Sequence, residues 1–322
     1  MIITRTPLRV SLFGGSTDYE SFFSDNESLI IGFGINKYCY LAVRKTPTIL
    51  DYKTKISYSK TEIVDNNNDI QHDGVRGCLS YLKIKHGVEI SYNGDLPAQT
   101  GTGSSSSFVV GLLNALHAMR GYRASKKTLA DQSILIERKL LDEAGGIQDQ
   151  IWAAYGGVSS IHIRKDGSFH VKPLPVCEHF LKDFMDRSVL IYSGRSRKSF
   201  EISKSHESPD SLKAKHNIKN IARDAYQQFL DSNIDNVATL LDKSWQHKKQ
   251  ISSLISGTDI DTMYSSLCKD GMIGGKLLGS GGSGFIFGIL DKDVDKKVFK
   301  RKYKNRYVNF NFDLEGSKII NE

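Results

Sequence analysis

Apolar residues after position 107 recur at helical spacing. Phe108, Val109, Val110, Leu112, Leu113, Leu116 and Met119 make one broad stripe, and Gly121 ends it. The pattern predicts a helix over 104–120, a second over 126–141 and a third after Gly145-Gly146. Strand-like runs are expected at 28–42, 56–63 and 88–92, with a polar loop at Asp65-Asn66-Asn67-Asn68-Asp69, and again at 156–163. A turn at Lys165-Asp166-Gly167, followed by Pro173 and Pro175, marks a seam that divides 1–170 from 171–322. From Val189 the expected order is strand, basic loop, long helix pair, Gly-rich loop, buried strand over 285–290 and terminal helix. No internal repeat is visible. The pattern alone supports a mixed α and β chain, long enough at 322 residues for ample core.

What precedes the first helix carries the chemistry. Leu96-Pro97-Ala98-Gln99-Thr100-Gly101-Thr102-Gly103 runs through Ser104-Ser105-Ser106-Ser107 straight into the apolar stripe. The first N–H groups of a helix have no internal partner, and the helix dipole favours an anion beside them. Glycines let a polyphosphate approach the backbone. A flexible linker shares this composition, but it does not abut a buried helix without a polar spacer. Pro97, Gly101, Thr102, Gly103, Ser104, Ser105 and Ser106 are therefore the candidate phosphate-loop residues. The GxxxxGK[ST] pattern is absent, which excludes a P-loop NTPase. A GxGxxG at Gly279, Gly281 and Gly284 leads into the 285–290 strand instead of opening a helix, which excludes a dinucleotide fold.

Charge and cysteine usage narrow the class further. The net charge of +8 lies largely in 291–306, where Lys and Arg outnumber Asp without an aromatic stacking series. That segment is expected to be a solvated helix face, with Val298, Phe299 and Tyr303 turned inward, and not a nucleic-acid surface. Cys39, Cys78, Cys177 and Cys268 are far apart and form no CxxC pair, which argues against a zinc site or a disulfide framework and fits a reducing cytoplasm. No signal-peptide pattern opens the chain, and the longest apolar segment, 108–119, is too short to span a bilayer.

Two further stretches complete a set of three. Thr6-Pro7-Leu8-Arg9 runs into Gly14-Gly15-Ser16-Thr17-Asp18, and Lys276-Leu277-Leu278-Gly279-Ser280-Gly281-Gly282-Ser283-Gly284 follows late in the chain. With the Gly/Ser loop between them, they resemble the three signature motifs of the GHMP small-molecule kinases, a family that includes galactokinases, homoserine kinases, mevalonate kinases and phosphomevalonate kinases. The resemblance covers the chain from Pro7 to Gly284. Gly-Gly-Ser-Thr-Asp stands where the galactokinase branch has Gly-Glu-His, a form similar to the sugar-1-kinase branch that contains heptose-7-phosphate kinases and fucokinases. The departures, at Ser16, Thr102, Ser280 and Ser283, all keep small residues.

The resemblance implies an α+β fold of two domains, ribosomal-protein-like at the N-terminus and ferredoxin-like at the C-terminus, with ATP and magnesium bound in the cleft between them. Phosphoryl transfer needs positioning and charge neutralisation more than covalent chemistry. Glu137, mid-helix by pattern, reads from the residues alone as a surface glutamate paired with Arg138 or Lys139. The resemblance makes it a magnesium ligand together with Ser105, with Ser104 and Ser106 as alternates in the serine run. Asp149 falls in a first helical turn, where the dipole favours a carboxylate, and the resemblance makes it the base for the acceptor hydroxyl. Arg9 is implied to face the base and the transferring phosphate. Asp18 is implied to grip sugar hydroxyls, with Gly14, Gly15, Thr17, Gly156, Gly281 and Gly282 around the sugar.

Two basic segments, Gly194-Arg195-Ser196-Arg197-Lys198 and Lys243-Ser244-Trp245-Gln246-His247-Lys248-Lys249, read singly as solvated faces. They resemble segments of heptose-7-phosphate kinases, which would make Arg195, Arg197 and Lys248 contacts to a phosphate already on the substrate. The expected partner is thus a small sugar or sugar phosphate, with no nucleic acid and no membrane. An unphosphorylated acceptor such as fucose or galactose is the alternative. An inert sugar-sensing regulator is the competing class, and the intact Arg9, Gly/Ser loop, Glu137 and Asp149 speak against it.

Overall fold

The computed structural model describes residues 1–194, 202 and 211–321. Along the chain run β1 (Ile2–Phe13), α1 (Glu20–Asn26), β2 (Ser28–Lys45), β3 (Thr54–Ser57), β4 (Thr61–Val64), α2 (Asp73–Tyr81), β5 (Val88–Gly94), α3 (Ser104–Met119) and α4 (Lys126–Ile134). A π-helical segment, Leu135–Leu140, continues α4. Then come α5 (Gln148–Tyr155), β6 (Val158–Ile163), β7 (Phe169–Pro173), α6 (Glu178–Arg187) and β8 (Ser188–Tyr192). The last part holds α7 (Leu212–Leu230), α8 (Ile234–Lys249), α9 (Thr258–Lys269), β9 (Met272–Leu277), β10 (Phe285–Leu290), α10 (Lys296–Lys302), β11 (Phe312–Asp313) and β12 (Lys318–Asn321).

The strands build a nine-stranded sheet in the order β12-β1-β2-β5-β3-β4, with β6 and β11 also paired to β2 and β7 to β6, and a three-stranded antiparallel sheet β8-β10-β9. The fold is therefore α+β, as expected. β2 organises the larger sheet: its first half pairs with β6 and its second with β5, while β1 runs antiparallel along nearly all of it. The apolar stripe of α3 packs on β1 and β2. Thr4 Oγ1 donates to the Gly111 carbonyl at 3.1 Å, and a Cβ on Gly111 would lie 2.7 Å from Thr6 Oγ1. Glycine at that point lets the helix settle onto the strand.

The seam expected near residue 170 is crossed by packing and by chain. Phe33 of β2 meets Phe184 at 6.2 Å, Phe287 at 5.9 Å and Phe312 at 5.0 Å between ring centroids, so one aromatic core joins the larger sheet to α6 and β10. Residues of β11 and β12 return to β2 and β1. Asp313 fastens that return by accepting the N–H groups of Glu315 and Gly316.

Several expectations differ in detail. The run 56–63 is a hairpin, β3 and β4, with Tyr58 N–H donating to the Lys60 carbonyl at its turn. Helix 126–141 changes to π geometry at Leu135. β9 escapes a strand reading because Gly274-Gly275 interrupts its apolar run. A Cβ on Gly274 would lie 2.0 Å from the Ala238 carbonyl oxygen, and glycine there admits α8. On α10, Phe299 turns inward as expected while Val298 is exposed.

The Gly/Ser loop and the late Gly-rich loop meet backbone to backbone. A Cβ on Gly279 would lie 2.3 Å from Gly101 Cα, and one on Gly284 (φ +115°) would lie 2.1 Å from the Thr100 carbonyl oxygen. Gly284→Ala should therefore lower stability by about 2 kcal/mol or more, from positive φ and overpacking together. Urea unfolding is expected to show a lower midpoint at unchanged slope. An unshifted midpoint would mean that the two loops do not rest on each other.

Candidate active site

Arg9 lies on β1 with its guanidinium buried. Its Nε and Nη2 donate to Asp149 Oδ1 and Oδ2, both at 2.8 Å, and Nη1 donates to the Gly101 carbonyl. The backbone N–H of Arg9 donates to the Thr102 carbonyl at 3.0 Å. One arginine thus fixes the Gly/Ser loop to β1 and holds the Asp149 carboxylate in a bidentate grip. Gly103 precedes α3 in the left-handed region (φ +75°), and no side chain caps the helix. The first N–H groups of α3 are left for an outside acceptor. A Cβ on Gly103 would lie 3.4 Å from Asp149 Oδ2, so the candidate base sits directly against the candidate phosphate loop.

The serine run resolves by helix register. α3 begins at Ser104, which turns Ser105 outward and Ser106 inward. Ser106 Oγ donates to Glu137 Oε2 at 2.8 Å, so the hydroxyl beside Glu137 is that of Ser106, in place of the expected Ser105. Glu137 is fully buried, not a surface residue. Its segment is π-helical, with Leu141 N–H donating to the Ile136 carbonyl five residues back, and Glu137 faces inward from that wider turn. Gln150 Nε2 also donates to Glu137 Oε2, and Arg138 Nη2 lies at 3.4 Å. Burial pushes the Glu137 carboxyl up to about 7 against the pull of Arg138.

Glu137 Oε1 is buried with no hydrogen-bond partner among the described residues. A buried carboxylate oxygen without a partner, next to a serine hydroxyl, is a donor set suited to a hard divalent cation. No group of three or more His, Cys, Asp or Glu side chains gathers among the described residues. A magnesium ion takes one or two protein ligands and completes its shell with phosphate and water.

Asp18 is buried and caps the approach to α5. Its Oδ1 accepts Ser16 N–H at 3.1 Å and its Oδ2 accepts Gln148 N–H at 3.2 Å. Burial, with Asp149 adding to it, raises the Asp18 carboxyl above the usual carboxylate range. A Cβ on Gly146 would lie 1.8 Å from Asp18 Oδ2, so this carboxylate needs a glycine there. Three consecutive residues of α5 therefore each hold a different group: Gln148 holds Asp18, Asp149 pairs with Arg9, and Gln150 holds Glu137.

Two buried lysines complete the cleft. Lys276 Nζ donates to the Leu12 carbonyl at 3.0 Å, and Lys248 Nζ donates to the carbonyls of Leu277 (3.2 Å) and Gly279. Neither makes an ion pair among the described residues. Burial, then the nearby Arg9, brings Lys276 down to about 7, and burial with Lys276 beside it lowers Lys248 well below the usual lysine value.

Arg9, Gly15, Asp18, Gly101, Gly103, Ser104, Ser105, Ser106, Asp149 and Lys248 line one cavity of about 190 Å³, with Glu137 one step behind Ser106. The other expected residues serve the backbone. Pro97 accepts the Thr100 hydroxyl at 2.7 Å, and Thr102 is buried with its carbonyl on Arg9. Gly14 and Thr17 form a turn in which both the N–H and the hydroxyl of Thr17 donate to the Gly14 carbonyl, so neither lines the cavity. Gly156 packs on Gly316, Gly281 on Ile255 and Gly282 on Ile202. Arg195 and Arg197 lie outside the described residues. The cavity also contains Ser11, Gln148 and Lys276, which the sequence reading passed over. Lys276 was legible as the only charged residue of the late Gly-rich motif.

Residues 73–157 match the family model described as the GHMP kinases N terminal domain. D-glycero-alpha-D-manno-heptose 7-phosphate kinase of Campylobacter jejuni is 27% identical over 339 residues, covering 98% of this chain and 98% of that protein. The L-fucokinase/L-fucose-1-P guanylyltransferase of Bacteroides fragilis is 26% identical over 325 residues, covering 88% of this chain and 34% of that protein. Among solved structures, a D-glycero-D-manno-heptose 1-phosphate kinase from Bacteroides thetaiotaomicron superposes with a TM-score of 0.82 at 22% identity, covering 100% of this chain and 99% of that one, and shares its fold.

Lys276 supplies a pH test of this geometry. Its value of about 7 in the folded chain lies below the ordinary 10.5, so between those values the unfolded chain binds more protons and wild-type stability rises with pH. The cost of the buried cation is full below pH 7 and gone above 10.5. Lys276→Met is expected to raise Tm below pH 7, with the gain shrinking toward pH 10.5. A gain that does not vary with pH would contradict a charged Lys276 in the cleft.

Proposed function

We propose that the chain is a phosphotransferase of the GHMP kinase type, an ATP- and magnesium-dependent sugar kinase acting on the anomeric hydroxyl of a heptose 7-phosphate to give the 1,7-bisphosphate. The observation that carries the kinase chemistry is the Arg9–Asp149 pair set against Gly103 at the uncapped start of α3. The loop N–H groups bind the phosphates of ATP. Asp149 takes the proton of the acceptor hydroxyl as its oxygen attacks the γ-phosphorus; the bond to the β-bridging oxygen breaks, and ADP leaves with that electron pair. Arg9 orients Asp149 and offsets the charge that develops on the transferring group. Gln150 and Ser106 fix Glu137, and Glu137 with Ser106 is the pair fit to hold magnesium, which when bound offsets the charge of the β- and γ-phosphates.

The acceptor is inferred from the likeness to the Campylobacter enzyme, which runs along nearly the whole of both chains. The likeness to the Bacteroides L-fucokinase/L-fucose-1-P guanylyltransferase, over 34% of that protein, favours a second acceptor, an unphosphorylated sugar. The four cysteines are all free, and no helix among the described residues is long and apolar enough to cross a membrane. Both fit an enzyme acting on a soluble metabolite in the cytoplasm.

ADP release with ATP, magnesium and D-glycero-D-manno-heptose 7-phosphate, compared with free heptose, fucose and galactose, tests the reading, and 31P NMR locates the new phosphate on the anomeric carbon. A higher kcat/KM for any free sugar would overturn the acceptor, and ADP release with none of them would overturn the kinase. Asp149→Asn should lower kcat ~100- to 10,000-fold, the usual loss when a general base is removed. Asparagine keeps an acceptor for Arg9, so ATP affinity is expected to be unchanged. A variant that retains most of its turnover would remove Asp149 from the proton-accepting role.

A further inference from the structure

We infer that the niche beneath Gly15, walled by Ser11, Gln148 and Lys276, binds a phosphate that the acceptor already carries. The inference rests on the reading of this cleft as a kinase acceptor site. It assigns the specificity for a phosphorylated sugar to residues other than Arg195 and Arg197.

The niche is defined by what surrounds one point. A Cβ on Gly15 would lie 3.4 Å from Ser11 Oγ, 3.6 Å from Gln148 Nε2 and 3.9 Å from Lys276 Nζ. These are ordinary contact distances, and Gly15 does not have a positive φ, so neither backbone strain nor backbone crowding calls for glycine here. What the missing side chain preserves is space among three hydrogen-bond donors.

Those donors come from β1, α5 and β9 and are built in. Lys276, Ser11 and Gln148 are all buried. Ser11 Oγ has no hydrogen-bond partner among the described residues, although it is shut off from solvent. A buried polar atom left unpaired is costly, and it is normally satisfied by a ligand or water. Lys276 gives one hydrogen to the Leu12 carbonyl, which leaves two N–H groups for a ligand.

Charge decides which ligand. Lys276 meets no carboxylate partner at ion-pair distance among the described residues; Asp18 favours its charge from farther away, against burial and the nearby Arg9. A neutral sugar hydroxyl would leave the buried ammonium with the distant Asp18 as its one opposing charge among the groups acting on it. A phosphate accepts from all three donors and supplies the missing negative charge. The three atoms nearest a Cβ on Gly15 belong to Ser11, Gln148 and Lys276, whereas Asp149 is paired with Arg9 against Gly103, so the bound phosphate and the reacting hydroxyl are given separate places in the one cavity.

Titration calorimetry without ATP tests the niche directly. Wild type, Lys276→Met and Ser11→Ala are each titrated with D-glycero-D-manno-heptose 7-phosphate, with free heptose and with ATP. Lys276→Met is expected to weaken heptose 7-phosphate binding about 10- to 100-fold, the loss of one charge-assisted hydrogen bond, and Ser11→Ala about 2- to 10-fold. Affinities for free heptose and ATP should stay at their wild-type values. Equal weakening of both sugars would mean that the niche holds hydroxyls, and weakened ATP binding would mean that it belongs to the nucleotide; either overturns the proposal. Turnover by the wild type separates the two claims. An enzyme that phosphorylates heptose 7-phosphate while Lys276→Met binds it normally overturns the niche alone, and an enzyme that phosphorylates only free sugars overturns the acceptor reading on which the niche rests.

Discussion

The bidentate pair between Arg9 and Asp149 is the constraint from which the rest of the site follows. The guanidinium is buried, so it must be paired, and its partner has to come from the first turn of α5. Placing Asp149 there places its neighbours as well. Gln148 reaches Asp18 through its backbone, and Gln150 reaches Glu137 through its side chain. One helical turn thus sets the relation between the acceptor side of the cleft, the base and the metal side. The third arm of Arg9, on the Gly101 carbonyl, ties the phosphate loop into the same unit.

A site held this way needs its two halves in close register, and the glycines of the two loops provide that. Gly101 against Gly279 and Gly284 against Thr100 bring backbones to distances that any Cβ would forbid. Lys248, buried behind them, donates to the carbonyls of Leu277 and Gly279 and so braces the late loop from α8. Behind the loops, Phe33 packs against Phe184 and Phe287, so the larger and smaller sheets share one apolar core. The cleft is lined by polar groups but anchored by aromatic packing. It also buries two lysine ammonium groups that have no carboxylate at ion-pair distance among the described residues, a cost in stability that makes sense where an anionic ligand is to be bound.

What could be read from the chain, and what could not, has physical causes. The phosphate loop was legible because a helical apolar stripe begins at the residue where a Gly/Ser run ends. Asp149 was legible as a first-turn carboxylate. The helix register was not: four successive serines carry no periodicity, and the inward position fell to Ser106, not Ser105. Glu137 reads as a surface residue on an ordinary helix, and only the π turn explains its burial. Motif glycines were read as room for the sugar, yet Gly14, Gly156, Gly281 and Gly282 make room for other parts of the chain. Gln148 carries no signal in the sequence, and the one signal at Lys276 is that it is the only charged residue of the late Gly-rich motif. Their meaning lies in three elements that meet only in the folded molecule.

A double-mutant cycle on kcat tests the Arg9–Asp149 unit most directly. Because Arg9 acts through its grip on Asp149 as well as by its charge, the loss of kcat in the double variant should fall well short of the product of the losses in Arg9→Met and Asp149→Asn. Losses that multiply in the double variant would show that the two residues act independently, and would contradict the account of the site as one unit built on their pairing.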